Sequence, residues 1–166
     1  SVRAYFNNSD FVLGRVIARP FLGEKAGEFK RTVNRHDYSI KPYGDTTLSE
    51  LKKAGLSVIG FGKIPSIYDH IGLTEEITTG HDDTGFQKTF ELLEARKDTK
   101  GLFFINLNDL DTLYGHRRKP LGYAEHLEQI DIQLGELLSR LTDNQLLMVV
   151  SDHGNDPSFA GTDHTR

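Results

Sequence analysis

An α/β fold built on a parallel sheet is what these 166 residues predict, and three observations carry that expectation. From Asp45 onward, stretches with helical spacing alternate with short apolar runs, three times in succession. The runs themselves, within "LSVIGFG", "KGLFFINLND" and "QLLMVVSDH", are apolar throughout rather than alternating, as strands covered on both faces are. Two of those runs lead straight into Asp- and His-rich segments, and open parallel sheets bind their ligands beyond the carboxyl ends of strands.

The elements follow in order. Residues 1–44 are irregular. "FVLGRVIARPF" reads as a strand, because Val12, Val16, Ile17 and Phe21 are β-prone and Pro20 ends the run. "GEKAGEFKR" is a turn-rich loop, and "NRHDYSIKPYGD" is extended, punctuated by Pro42 and Gly44. "DTTLSELKKAG" predicts a helix, with Asp45 or Thr46 as cap, Glu50 in the first turns and Gly55 as the stop. "LSVIGFG" is a buried strand. "GFQKTFELLEARK" is a helix carrying Phe86, Phe90 and Leu93 on one side, and "KGLFFINLND" is the next strand. "GYAEHLEQIDIQLGELLSRLTD" is a long amphipathic helix with Leu127, Ile130, Leu134, Leu137, Leu138 and Leu141 on its apolar stripe. "QLLMVVSDH" is the third buried strand. The break near Gly44 divides the chain into residues 1–44 and residues 45–166.

Composition narrows the function classes. Hydrophobic residues make up 37%, charged residues 27%, and the net charge is −4. That is an ordinary soluble profile with no call for a nucleic-acid partner. The charge is uneven: residues 1–44 carry +4 and residues 45–166 carry −8, which pairs a basic piece with an acidic one. Cysteine is absent, which excludes disulfides, thiolate zinc sites and cysteine nucleophiles and fits a cytoplasmic setting. Apolar runs reach only about six residues, far below the roughly 20 that span a bilayer, so no membrane is expected.

The chemistry concentrates in two segments. "FFINLNDLDTLYGHRR" offers Asp109, Asp111 and His116. "MVVSDHGNDPSFAGTDHTR" offers Asp152, His153, Asp156, Asp163 and His164. Carboxylate and imidazole together bind Zn, Mn or Fe, and two neighbouring ions are typical of phosphoryl chemistry. Each group also has a plainer use. An Asp-His pair after a strand can cap a helix or a turn, "GNDP" is a turn signal, Asp109 can cap the turn that follows it, and Asp131 is read as structural. The joint occurrence at successive strand ends favours metal.

"SDHGNDPSFAGTDHTR", "NLNDLDTLYGHRRKPLGYAEHL", "GRVIARPF", "NRHDYSIKPYG" and "GKIPSIYD" together resemble the bacterial phosphopentomutases, members of the alkaline-phosphatase-like metalloenzymes, from about Gly14 to Arg166. The resemblance implies interconversion of ribose or deoxyribose 1-phosphate and 5-phosphate, two Mn²⁺ ions and a phosphorylated threonine. It makes Asp152 and His153 ligands of one ion, and Asp111, His116 and His164 ligands of the other. It makes residues 1–44 part of a cap over the substrate and residues 45–166 the C-terminal part of the metal-binding core. Arg15 and Lys63 match substrate-phosphate contacts, with Arg19, Arg31 and Arg35 as helpers, since a guanidinium fork suits a phosphate.

The family pattern is longer than this chain. Its first metal-binding Asp and its threonine nucleophile precede the cap, so a fragment is expected, inactive by itself. Such a fragment would have apolar edges to be covered by the N-terminal part or by its own copies. Two alternatives are a cofactor-independent phosphoglycerate mutase-like enzyme and a non-catalytic module that binds metal or a sugar phosphate.

Overall fold

The structure is a computed structural model and describes residues 2–8, 10–11, 13–32 and 34–165, without the side chains of Asn7 and Arg31. Val12 of the expected first strand lies outside the described residues, as does the Arg31 side chain. The chain divides into two compact units, residues 1–77 with 100–104, and residues 78–99 with 105–166. Among the described residues, no helix is long and apolar enough to cross a membrane.

The first unit opens with helix α1 (Val2–Asn7) and four short strands: β1 (Arg15–Ala18), β2 (Phe21–Leu22), β3 (Lys30–Arg31) and β4 (His36–Ser39). β1 and β4 pair antiparallel, from Arg15 opposite Ser39 to Ala18 opposite His36. β2 and β3 form a second antiparallel pair. Helix α2 (Thr47–Lys53) follows the sequence signals closely. The Thr46 hydroxyl accepts from the Ser49 amide at 3.2 Å. At the other end Gly55 takes φ +77°, and the amides of Gly55 and Leu56 donate back to the carbonyls of Lys52 and Leu51. That double bond closes a helix terminus with a left-handed residue, which glycine adopts without a Cβ penalty.

β5 (Ser57–Phe61) is the centre of a parallel sheet, flanked by β6 (Glu75–Ile77) and β7 (Gly101–Phe104) in the order β6-β5-β7. Covered on both sides, it buries Val58, Ile59 and Phe61 completely, which is why its run needs no polar alternation. Leu48 of α2, Ile64 of the short helix α3 (Ile64–Ile67) and Leu73 pack with Val58, and Leu51, Tyr68, Leu102 and Phe104 border them. α3 and β6 gave no sequence signal: one is a single turn, the other a three-residue polar edge strand. Gly101 faces Ser57 across the β5–β7 pair, and a Cβ there would lie 1.8 Å from the Ser57 carbonyl oxygen. Gly101→Ala is expected to lower stability by about 1–3 kcal/mol through forced strand displacement, measured as the chemical-denaturation midpoint.

The second unit contains helix α4 (Asp82–Ala95), a π-helical turn (Leu110–Gly115) and helix α5 (Pro120–Arg140). α4 starts three residues before the expected helix, because Asp82 and Asp83 in its first turn suit the positive end of the helix dipole. Pro120 opens α5, where its missing N–H leaves no helical bond unmade. The buried stripe of α5 is narrower than its leucines suggest. His126, Ile130 and Leu137 are buried, whereas Leu127 and Leu138 are 45% and 58% exposed.

The third expected strand is not one. Residues 145–150 lie in a segment without helix or strand, and Leu146, Met148, Val149 and Val150 are exposed. Apolar character marks a wish for burial, but a strand also needs a neighbouring edge for its N–H and C=O groups. Among the described residues no strand pairs with this run. After it, the chain closes a loop through an antiparallel bridge between Gly154 and Thr165.

Candidate metal centre

The site builds up from the π-helical turn. In it the His116 amide donates to the Asp111 carbonyl, a span of five residues. The widened turn carries residues five apart to one side, whereas an α-helix would rotate them away from each other. Asp111 and His116 therefore meet, with His116 Nε2 3.4 Å from Asp111 Oδ1. Such widened turns recur at functional sites.

The loop from Gly154 to Thr165 brings the remaining groups. His164 Nε2 lies 3.3 Å from Asp111 Oδ1 and 3.2 Å from His116 Nε2. His116 Nδ1 is 2.5 Å from the Thr162 carbonyl. A carbonyl only accepts, so Nδ1 holds the proton and the lone pair of Nε2 is turned toward Asp111 and His164. A backbone partner on the far nitrogen is the usual way a metal-ligating imidazole is oriented. The His153 ring stacks on His164 at 3.6 Å and 14°. Its Nδ1 is 3.1 Å from the Gly154 carbonyl. Asp111, His153 and His164 each offer a ligand atom, all within 4.8 Å of one another.

Two residues that sequence reasoning passed over hold this cluster together. Asn155, 8% exposed, donates from Nδ2 to Asp111 Oδ1 at 2.7 Å and fixes that carboxylate. The Arg118 guanidinium donates to the Gly115 carbonyl, to Asn155 Oδ1 at 2.8 Å, and to the carbonyls of Asp156, Gly161 and Asp163. It thereby ties the loop to the turn. Gly115 leaves Asn155 its place, since a Cβ at Gly115 would lie 2.4 Å from Asn155 Nδ2. Neither residue type looks like a ligand; Asn155 reaches a carboxylate 44 residues away, and four of Arg118's five partners are backbone oxygens that no spacing rule reveals.

Of the residues expected as ligands, Asp111, His116, His153 and His164 come together. Asp152 stays outside: its carboxylate is 78% exposed, with His153 Nε2 3.5 Å away. Asp156 accepts from the Ser158 amide, a turn bond. Asp109 does not cap its own turn. Its carboxylate binds the Asp82 amide, and Asp82, Asp109 and His126 form a second, buried trio in the same unit.

The expected phosphate contacts belong to the first unit. Arg15 binds Asp37 through two nitrogens, at 3.0 and 2.5 Å, and Arg35 binds the same carboxylate at 2.8 Å. The Asp37 side chain is only 2% exposed, so it holds both guanidiniums in place. Arg19 is exposed between β1 and β2, and Lys63 is half-buried just before α3.

A carboxylate oxygen fixed by Asn155, with imidazole nitrogens converging on it, is a donor set for a divalent cation of the Mn, Fe or Zn type. The residues present fit such an ion, because two Nε2 atoms at 3.2 Å from each other and close to one anionic oxygen are brought together where a shared cation satisfies all three. These features define an α/β protein with a candidate metal centre, and the chain belongs to the Metalloenzyme superfamily, whose family model matches residues 7–166. Within it, the chain is similar to phosphopentomutases. It is 53% identical over 157 residues to that of Clostridium tetani and 52% identical over 157 residues to that of Clostridium botulinum, covering 95% of this chain and 39% of each relative. It is 51% identical over 154 residues to that of Agathobacter rectalis, covering 93% of this chain and 38% of the relative. The chain thus spans well under half the length of the curated relatives it matches.

Proposed function

We propose that this chain is the metal-binding C-terminal portion of a phosphopentomutase, which interconverts ribose or deoxyribose 1-phosphate and 5-phosphate in the cytoplasm. The observation that carries the reading is the approach of Asp111, His116 and His164 to within 3.4 Å of one another, in a chain 53% identical to a protein of that name.

Asp111, His116 and His164 would hold one Mn²⁺, and Asp152 and His153 would contribute to a second. When bound, the ions supply positive charge against which phosphate oxygens are neutralised as the phosphoryl group moves. The chain's own residues do the rest. Asn155 orients the Asp111 carboxylate, and the Thr162 carbonyl fixes the tautomer of His116. Residues 1–44 serve as part of a substrate cap. Within it Asp37 pre-orients Arg15 and Arg35, so their forks meet a sugar phosphate with little further loss of rotamer freedom. Arg19, Arg31 and Lys63 add charge. A cap suits a mutase, since a phosphorylated intermediate has to be kept from water. In this reading the threonine nucleophile is not among these 166 residues.

Turnover tests the proposal. A gene product carrying this stretch within the full length of its relatives is expected to convert ribose 1-phosphate to ribose 5-phosphate in a Mn²⁺-dependent way, and to leave phosphoglycerate unchanged. The 166-residue chain by itself is expected to turn over neither ester. Turnover of phosphoglycerate in place of the pentose ester sinks the reading.

A further inference from the structure

A second group of chemically capable side chains lies in the same unit and is used by nothing described so far. Asp82, Asp109 and His126 are 3%, 6% and 7% exposed. They bring two carboxylates and an imidazole within 4.8 Å. The hydrogen bonds decide what such a group does. Asp82 Oδ1 accepts from the amides of Asn108, at 2.7 Å, and Asp109, at 3.2 Å. Asp82 Oδ2 accepts from the Asp109 amide at 3.2 Å and from His126 Nε2 at 3.0 Å. Asp109 Oδ2 accepts from the Asp82 amide at 3.0 Å, and both of its oxygens lie 3.3 Å from His81 Nδ1. Three of the four carboxylate oxygens thus accept from backbone amides. A cation here would compete with the bonds that cap the two elements, which favours a structural use of the trio.

The same bonds make a mechanical device. Asp82 is the first residue of α4, and Asp109 immediately precedes the π-helical turn. Each carboxylate caps the backbone that carries the other, across 27 residues of sequence. His126 brings in α5 as the third element. Its ring also lies 5.3 Å from the ring of Tyr114, inside the turn. Gly122 lets Tyr114 approach α5, since a Cβ there would come within 2.7 Å of the Tyr114 ring. The amides held by Asp82 are those of residues 108 and 109, where the turn begins, and Asp111 is two residues further on.

We propose that Asp82, Asp109 and His126 form a positioning latch that fixes the start and phase of the π-helical turn, and so the direction in which Asp111 is presented. The latch rests on the reading of Asp111 as a metal ligand for its functional consequence, but its structural effect stands apart from that reading. Without the latch the turn can relax toward α-helical winding, which rotates Asp111 and His116 off a common side.

The test uses the 166-residue chain, with Mn²⁺ as the probe. Wild type is compared with Asp82→Ala, Asp82→Asn, His126→Gln and His164→Ala. Leu137→Ala, a cavity on α5 away from the latch, is the control for lost stability. Two quantities are read: amide exchange over residues 108–116, and Mn²⁺ affinity from the spin resonance of free ion. Asp82→Ala is expected to speed exchange in that segment tenfold or more and to weaken Mn²⁺ about tenfold, as loss of outer-shell partners does. Asp82→Asn keeps an acceptor for the Asn108 amide, and His126→Gln keeps a donor for Asp82. Both are expected to recover part of the loss, and His126→Gln keeps the test open if Asp82→Ala fails to fold.

An equal effect in Leu137→Ala would reduce the trio to ordinary core and overturn the latch, as would unchanged exchange in every latch variant. Mn²⁺ binding that survives His164→Ala but vanishes in Asp82→Ala would make the trio itself the metal site, which also overturns it. If wild type takes up no Mn²⁺, the proposed function fails, and the exchange data alone decide the latch.

Discussion

Replacing His164 by alanine is expected to cut the Mn²⁺ affinity of the chain by more than about 100-fold. Loss of a mere outer-shell partner costs roughly 10- to 100-fold, and His164 is placed to be a ligand. Its Nε2 sits within 3.3 Å of both Asp111 Oδ1 and His116 Nε2, so its removal takes one nitrogen from a set of three. The substitution also unstacks His153, whose ring lies on His164 at 3.6 Å. His70 is the control. It is an exposed histidine in the other unit, engaged with Glu76 at 2.8 Å, and His70→Ala is expected to change uptake by less than twofold. Elemental analysis after dialysis against Mn²⁺ gives occupancy, and calorimetry gives affinity. Equal uptake by wild type and His164→Ala would end the assignment of this cluster as a metal centre. Mn²⁺ uptake by wild type is expected to raise its stability through preferential binding to the folded chain, by about 2.7 kcal/mol at a hundredfold excess over the dissociation constant. His164→Ala is expected to show no such gain at the same concentration.

Where the sequence was legible, a local rule was enough. Helix α2 announces both of its ends, through Thr46 and Gly55. β5 announces its burial because Val58, Ile59 and Phe61 need no alternation when both faces are covered. The parallel sheet follows from the order of such elements. The candidate ligands were legible as residue types, Asp111 and His116 after a strand and His164 after an apolar run that forms none, and the three converge.

Other features depended on partners that pattern does not contain. The run Leu146–Val150 has the composition of a strand, yet strand formation is decided by a neighbour's edge. The leucines of α5 mark one stripe, but Leu127 and Leu138 stay exposed because what packs on a helix decides how wide its buried face is. The π-helical turn is the clearest case. Asp111 and His116, five apart, look badly spaced for an α-helix, and the widened turn, with the His116 amide on the Asp111 carbonyl, brings them together. Asp82, 27 residues before Asp109, lies outside the stretch expected to be helical and carried no signal. Asn155 read as part of a turn and Arg118 as one more basic residue. Asp82 and Arg118 act through main-chain amides and oxygens, and Asn155 through a carboxylate 44 residues away, partners whose positions exist only once the chain has folded.

Arg118→Ala is expected to have the largest effect of any substitution outside the ligands themselves. The guanidinium makes five donations, to Asn155 Oδ1 and to the carbonyls of Gly115, Asp156, Gly161 and Asp163. A hydrogen bond from a charged group contributes about 1.5–3 kcal/mol. Arg118 is half-buried and the loop carbonyls are partly wet, so full addition overstates the sum. A loss of about 2–4 kcal/mol is expected, localised to the loop 154–165. Alanine also leaves Asn155 Oδ1 without its donor, which frees Asn155 to turn away from Asp111. Arg118→Lys is expected to recover less than half of the loss, since an ammonium cannot reach oxygens spread around a planar fork.

The backbone supplies the discriminating control. Arg118 has φ +51°, a conformation that glycine adopts at lower cost than alanine. If Arg118 acted mainly by holding a strained turn, Arg118→Gly would be close to wild type. If its side chain is the tie between loop and turn, Arg118→Gly and Arg118→Ala lose Mn²⁺ affinity alike, by about tenfold or more, and the proton resonances of His164 lose their separation from those of a free histidine. High Zn²⁺, a diamagnetic ion suited to the same donors, is expected to restore those resonances in part, because an ion shared by Asp111 and His164 does from inside the loop what the guanidinium does from outside it. A glycine variant with wild-type affinity would assign the role to the backbone and remove Arg118 from the account of how this centre is held.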